Sequence, residues 1–173
     1  WIMAKTEIRI TIKVGELFYD IATKTYLASR TAMSGDKYEE AADAITDSSE
    51  ECENELYRSI QSAIAKLRVH LGKYIYGYEE ANEINNILKN DVGRTEEKGY
   101  VFVFSVPYNF SVASIDFIST SLHDYIVNYA IGSWYLKTNA DEASAYYKMA
   151  EGLLPQIYEA MSKRTRHRRG TMF

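Results

Sequence analysis

One cysteine, Cys52, occurs in 173 residues. A single thiol excludes an internal disulfide, a cysteine-rich zinc site and an iron–sulfur cluster, and it fits a reducing compartment. The acidic neighbours Glu50, Glu51 and Glu53 disfavour a nucleophilic thiolate, so Cys52 reads as an incidental exposed thiol. Proline is almost as rare, with only Pro107 and Pro155, which suits a helical chain. The nine glycines are scattered, so neither a Walker A loop nor a dinucleotide fingerprint is present. The three histidines, His70, His123 and His167, form no His-Glu-x-x-His and no Glu-x-x-His motif, which argues against a zincin or a di-iron bundle. No apolar run approaches the roughly 20 residues that span a bilayer, and no membrane partner is expected. The opening Trp1-Ile2-Met3-Ala4-Lys5 is not followed by the apolar stretch of a signal peptide, and Met3 is the expected natural start.

What is present is an ordinary globular composition, 46% hydrophobic and 25% charged, with an unusual 15 tyrosines. So many tyrosines suit a chain with more contact surface than a monomer needs. The length allows one domain covering 1–173. A net charge of −4 rules out a polyanion binder as a whole, though not a local basic patch.

Along the chain, Ile8–Val14 alternates apolar and polar residues and reads as a half-buried strand, ended by Gly15. A helix follows from Glu16 to about Thr31, with Leu17, Phe18, Ile21 and Ala28 on one face. Thr23 and Thr25 weaken its propensity. Residues 33–50 form an exposed acidic segment, with room for a short helix over Tyr38–Ile45. From Asp36 to Glu55 nine carboxylates face one lysine, Lys37, so the stretch is either a solvated face or an acidic docking surface. Its candidate docking residues are Glu39, Glu40, Asp43, Glu50 and Glu51. Asp47 and Glu50 have capping-box spacing. The helix they start carries Leu56, Ile60, Ala63, Ile64, Leu67, Leu71 and Tyr74 at spacings of three and four, with Gly77 as its stop. A short helix is expected around Ala81–Leu88 and a loop over Asn90–Gly99. Tyr100–Val106 is rich in β-branched and aromatic residues and is expected to pair with Ile8–Val14.

The last third is the most regular. A helix capped by Ser111 or Ser114 runs to about Leu136, with Ile115, Ile118, Leu122, Tyr125, Ile126 and Tyr129 as its stripe. Asn139 and Glu142 cap a second helix carrying Ala143, Tyr147, Ala150, Leu154, Ile157 and Met161, with Pro155 inside it. The turn between them is short, so the two helices should pack antiparallel. The fold class is therefore mainly α: about four main helices, a C-terminal helical hairpin and a small antiparallel β element.

No convergent catalytic set emerges. Ser121, His123 and Asp124 sit within four residues of one helix, where neighbours point apart, so they are not a triad. The chain is expected to be no enzyme and to hold no metal or cofactor. Trp134, Tyr135, Tyr146 and Tyr147 flank the hairpin turn as core or subunit contacts. A tail over 163–173 carries Lys163, Arg164, Arg166, Arg168 and Arg169. It reads as a flexible terminus, a phosphate-contacting arm, or the complement of the acidic segment on a neighbouring subunit.

The run Asp124-Tyr125-Ile126-Val127-Asn128-Tyr129-Ala130-Ile131-Gly132-Ser133-Trp134-Tyr135 leads into Thr138-Asn139-Ala140-Asp141-Glu142-Ala143, then Tyr146-Tyr147-Lys148, Leu153-Leu154 and the basic Lys163–Arg169. With the start Lys5–Ile10 and the block Gly15–Asp20, this resembles the head–tail connector (adaptor) proteins of tailed bacteriophages and prophages, in particular small proteins of phage-like gene clusters of gut Bacteroidales. The resemblance covers about the last 60 residues and, loosely, the start. It implies a structural virion protein of the neck, assembled in the bacterial host cytoplasm as a ring of about twelve copies beneath a portal. Such a ring continues the DNA channel, touches DNA transiently and docks tail-completion proteins. Lys163, Arg164, Arg166, Arg168 and Arg169 are then positions for the portal or the channel. The strand Tyr100–Val106 and the acidic segment depart from the nearly all-helical adaptors, which leaves a stopper or tail-completion role open. The other classes are a helical nucleic-acid-binding protein using the Arg-rich tail and a non-enzymatic helical scaffold.

Overall fold

Period-two alternation at the start of the chain becomes a strand, β1 (Lys5–Lys13), in the computed structural model, which describes residues 5–32, 50–75 and 99–165. It pairs antiparallel with β2 (Gly99–Pro107), from Lys5 opposite Pro107 to Lys13 opposite Gly99. This register sets Ile8, Ile10 and Ile12 across from Phe104, Phe102 and Tyr100 on one face. Ile10, Ile12, Phe102 and Phe104 are buried there, and the two phenyl rings stack with centroids 6.0 Å apart. The strand does not extend to Val14. That residue is buried and opens the helix α1 (Val14–Ala32) with no intervening loop, so Gly15 lies in the first helical turn instead of ending the strand. Thr25 is tolerated at a fully buried helical position because its hydroxyl donates to the Ile21 carbonyl at 2.9 Å.

The helix α2 (Glu50–His70) buries Leu56, Ile60, Ala63, Ile64 and Leu67, with Leu71 just beyond its end, as the spacing predicts. It stops at His70, well before Gly77. The chain turns over 71–74 so that the Tyr74 carbonyl accepts from the Ser105 amide at 2.7 Å and Ile75 bridges to Phe104. Hydrogen bonding to the outer edge of β2 thus competes with helix continuation and wins. The cap Asp47, the stop Gly77, the short helix near Ala81–Leu88, most of the 90–99 loop and the acidic residues Glu39, Glu40 and Asp43 lie outside the described residues, as do Arg166, Arg168 and Arg169.

The hairpin is as expected, α3 (Ser114–Tyr135) followed by α4 (Ala140–Ser162). The cap of α4 is the predicted one: the Asn139 side chain accepts from the Glu142 amide at 3.3 Å. The cap of α3 is not. Its N-cap is Ala113, without a side-chain hydrogen bond. The Ser111 and Val112 carbonyls instead accept from the Ser114 and Ile115 amides in a backbone turn.

From Tyr125 to Gly132 every residue of α3 except Tyr129 is buried. A helix buried around its circumference is a core element, and α3 has α4, α2, α1 and β1 packed about it. At Gly132 the approach of α4 is close enough that a Cβ would sit 3.1 Å from Tyr147 Cδ1 and 3.3 Å from the Ala143 carbonyl oxygen. Two stability effects follow. Ile126→Ala, at a fully buried position, should cost about 2–5 kcal/mol. Gly132→Val should cost about 1–3 kcal/mol by overpacking against Tyr147. Urea unfolding followed by circular dichroism checks both, with the midpoint shifting at constant slope.

Candidate functional site

The direction of each helix decides where the charges fall. Ser59 meets Ser133 at 3.1 Å and Glu55 meets Lys137 at 2.6 Å, so the start of α2 lies beside the end of α3. At the other end, the Tyr158 hydroxyl donates to the His70 carbonyl and the Tyr74 and Tyr158 rings lie 6.3 Å apart. Helices α2 and α4 therefore run in the same direction, and both oppose α3. One end of the bundle gathers Glu51, Glu53 and Glu55 of α2 with Asp141 and Glu142 of α4's first turn. Carboxylates at helix N-termini are favourable there. The other end gathers Arg68 and His70 of α2's last turn, Lys73, and Lys163 with Arg164 after α4. Among the described residues Lys137 contacts Glu55 at the acidic end and Glu159 contacts Lys163 at the basic end, where Asp116 also lies in the first turn of α3. The length of α3 separates the poles by about 33 Å.

Lys163–Thr165, at the root of the basic tail, are hydrogen-bonded to the turn before α3. The Ser111 amide donates to the Lys163 carbonyl at 3.2 Å, the Thr165 amide to the Asn109 carbonyl at 2.8 Å, and Phe110 bridges to Arg164. Arg164 also has a local task. One guanidinium nitrogen donates to the Met161 and Lys163 carbonyls at 3.0 Å each, satisfying acceptors left open at the end of α4. Lys163 pairs with Glu159 at 2.7 Å, and this hydrogen bond holds the Glu159 carboxyl below its ordinary range.

The aromatic quartet is placed mainly in packing. Tyr135 is buried and stacks on Tyr146 with centroids 5.8 Å apart. Tyr147 meets Tyr129 edge-on at 5.1 Å, and Trp134 packs against the core. Burial pushes the Tyr135 and Tyr146 phenols up, and the Tyr125 phenol up to about 12. Burial, with the Tyr57 hydroxyl beside it, also raises Tyr100. Lys66 sits over the Tyr129 ring, 4.6 Å from its centroid.

Two open clefts flank this frame. One, of about 620 Å³, is lined by Glu51, Glu55, Arg58, Ser133 and Lys137 at the acidic end. Glu51 is thus exposed in a cleft of mixed charge, and Glu50 begins α2. The other, of about 530 Å³, lies between β1, α1 and α3 and holds His123. His123 Nε2 is 2.8 Å from Asp20 Oδ2, and Lys24 Nζ is 3.8 Å from Asp124 Oδ1. Ser121 is buried. The apparent Ser121, His123, Asp124 cluster is therefore split, with His123 and Asp124 each paired to α1. No sequence signal marked Asp20 as the partner, since it lies 103 positions away and a single acidic residue on a helix face is commonplace. Among the described residues no group of three or more His, Cys, Asp or Glu side chains is arranged to hold a metal ion. Cys52 is buried, not exposed, because the first turns of α2 already pack into the core.

Among the described residues no helix is long and apolar enough to cross a membrane. Compared with known proteins, the chain matches no family model, no curated protein and no solved structure.

Two outcomes test this geometry. A double-mutant cycle of Asp20→Asn and His123→Gln should give a coupling of roughly 0.5–2 kcal/mol in urea unfolding, and no coupling would mean that the contact does not tie α1 to α3. The raised phenols also carry a sign. A tyrosine that keeps its proton in the fold and ionises near pH 10 when unfolded stabilises fully below pH 10. That contribution is lost as pH rises towards the folded value, about 12 for Tyr125. Thermal midpoints should fall over this window, and absorbance at 295 nm should show the buried tyrosinates appearing together with unfolding.

Proposed function

We propose that this chain is a non-enzymatic structural subunit of a phage or prophage head–tail neck, assembled head to tail into a ring of about twelve copies. The ring sits beneath a portal, continues the DNA channel and receives tail-completion proteins. The observation that carries this reading is the opposition of an acidic and a basic pole across one bundle. Complementary poles on a single chain favour heterologous contact between copies, and a heterologous contact that closes on itself makes a ring. Exposed aliphatic and aromatic side chains at both ends, Leu136 at one and Tyr108, Val112 and Phe117 at the other, supply apolar area for such contacts. The resemblance of the C-terminal hairpin and tail to connector proteins supplies the biological setting, the virion neck. Arg166, Arg168 and Arg169 follow directly on the anchored root and remain the positions for the portal or for passing DNA. Arg164 contributes mainly to holding that root.

A nucleic-acid-binding role is the second reading, favoured by Arg68, His70, Lys73 and Lys163 standing at the same end as the tail. The two differ in a direct measurement. Light scattering at high protein concentration, with negative-stain images of the same sample, is expected to show rings with a central hole, or rings on addition of a portal protein, together with weak DNA affinity. A monomer that ignores a portal but binds DNA steeply with salt, and loses that binding on removal of residues 166–173, would favour the second reading.

A further inference from the structure

The basic pole also exposes large apolar side chains. Tyr108, Val112 and Phe117 are 61%, 72% and 46% exposed, and they follow one another through the turn after β2 into the first turn of α3. The backbone bonds from Asn109 and Ser111 to Thr165 and Lys163 place the root of the basic tail against this turn. Exposed apolar side chains at an end that also carries Arg68, Lys73, Lys163 and Arg164, with Asp116 as the carboxylate of the first α3 turn, fit an amphipathic segment that brings carboxylates to that end.

The chain's own sequence contains one. Tyr38, Ala41, Ala42 and Ile45 recur at i, i+3, i+4 and i+7, with Glu39, Glu40 and Asp43 between them, which is the pattern of a helix with one apolar and one acidic face. We propose that the segment Tyr38–Ile45 of one copy docks on the basic pole of a second copy, over Tyr108, Val112 and Phe117. The proposal deepens the reading of the chain as a self-assembling subunit and rests on it.

Chain length selects the second copy over the same one. The segment is tethered at both ends to the acidic pole. Ser29 lies beside Tyr135, near the end of α1, and Glu55 of α2 meets Lys137. Phe117, the nearest part of the patch, is about 27 Å from Tyr135 along α3. Fully extended, the chain from Ala32 to Tyr38 reaches roughly 20 Å, and from Ile45 back to Glu50 roughly 17 Å. Both ends of the apolar stripe therefore fall short of their own basic pole, while nothing limits contact with a neighbour's.

Two complementary variants of the full chain test this. Val112→Ser/Phe117→Ser removes the patch, and Tyr38→Ser/Ile45→Ser removes the segment's anchors. All four substitutions are at positions exposed in the fold or outside its described core, and circular dichroism verifies that both variants fold. Each variant alone is expected to self-associate at least tenfold more weakly than the unaltered chain. An equimolar mixture is expected to form a one-to-one heterodimer by light scattering, because one intact patch then meets one intact segment. Association of either variant at the unaltered strength overturns the proposal, as does a mixture that gains no mass or an unaltered chain that stays monomeric at the highest concentration. The neck reading fails separately. Heterodimers without rings or portal binding would end that reading and keep the docking contact, whereas portal-bound rings without complementation would do the reverse.

Discussion

Burial of α3 on nearly all sides is the constraint on which the rest depends. A helix with apolar residues around its whole circumference cannot be satisfied by one partner, so α1, α2, α4 and β1 all pack against it. At Gly132 the absence of a side chain lets Tyr147 and the Ala143 backbone come close. The adjacent stacking of Tyr135 on Tyr146 and the edge contact of Tyr129 with Tyr147 then lock the hairpin in one rotation. A small sheet survives in this setting because its inner face of isoleucines and phenylalanines joins the helical core.

Polarity follows from that packing. A two-to-six-residue connection forces α3 and α4 to run in opposite directions, and α2 lies against α3 in the same sense as α4. Two parallel helices bring their N-termini to one end and their C-termini to the other. Asp141 and Glu142 in the first turn of α4 and Arg68 in the last turn of α2 are each favourable by a few tenths of a kcal/mol to about 1 kcal/mol. What is a local preference in each helix adds up to a dipolar molecule, because the fold aligns the two. The exposed charges at each end are screened over about 8 Å at physiological salt, so they guide contact between ends without reaching across the body of the protein.

Where side-chain periodicity alone decides the structure, the sequence was readable. The isoleucine alternation of β1, the stripes of α2 and α4 and the Asn139 cap all depend on residues within one or two turns of each other. The failures have a common physical cause, which is competition from distant partners. Helix α2 stops at His70 because Tyr74 and Ile75 bond to β2, thirty positions on. Val14 leaves the strand because its burial is better served in α1. The Cys52 side chain is buried by elements that its acidic neighbours do not reveal. Asp20 finds His123, and Arg164 turns back onto the α4 carbonyls, through contacts that no local pattern announces. Lys163 and Arg164, adjacent cations in the sequence, are thus engaged differently in the fold, one by a carboxylate and one by carbonyls.

That inequality bears on how a charged end can be both sticky and selective. If every basic residue of the tail were a free cation, contact with an acidic surface would be strong at low salt and indifferent to its shape. Here Lys163 and Arg164 are engaged locally, and backbone bonds of Lys163 and Thr165 tie Ser111 and Asn109 to the end of α4. The turn carries the exposed Tyr108 and Val112 into the start of α3, where Phe117 is exposed as well. Apolar side chains demand a complementary surface, whereas charges mainly raise the encounter rate and exclude like-charged partners. Exposed apolar side chains at an end that also carries cations therefore select for an amphipathic acidic partner over a merely acidic one. Repeated around identical copies, such a contact fixes the angle between neighbours, and that angle determines whether the assembly closes into a ring or continues as a filament.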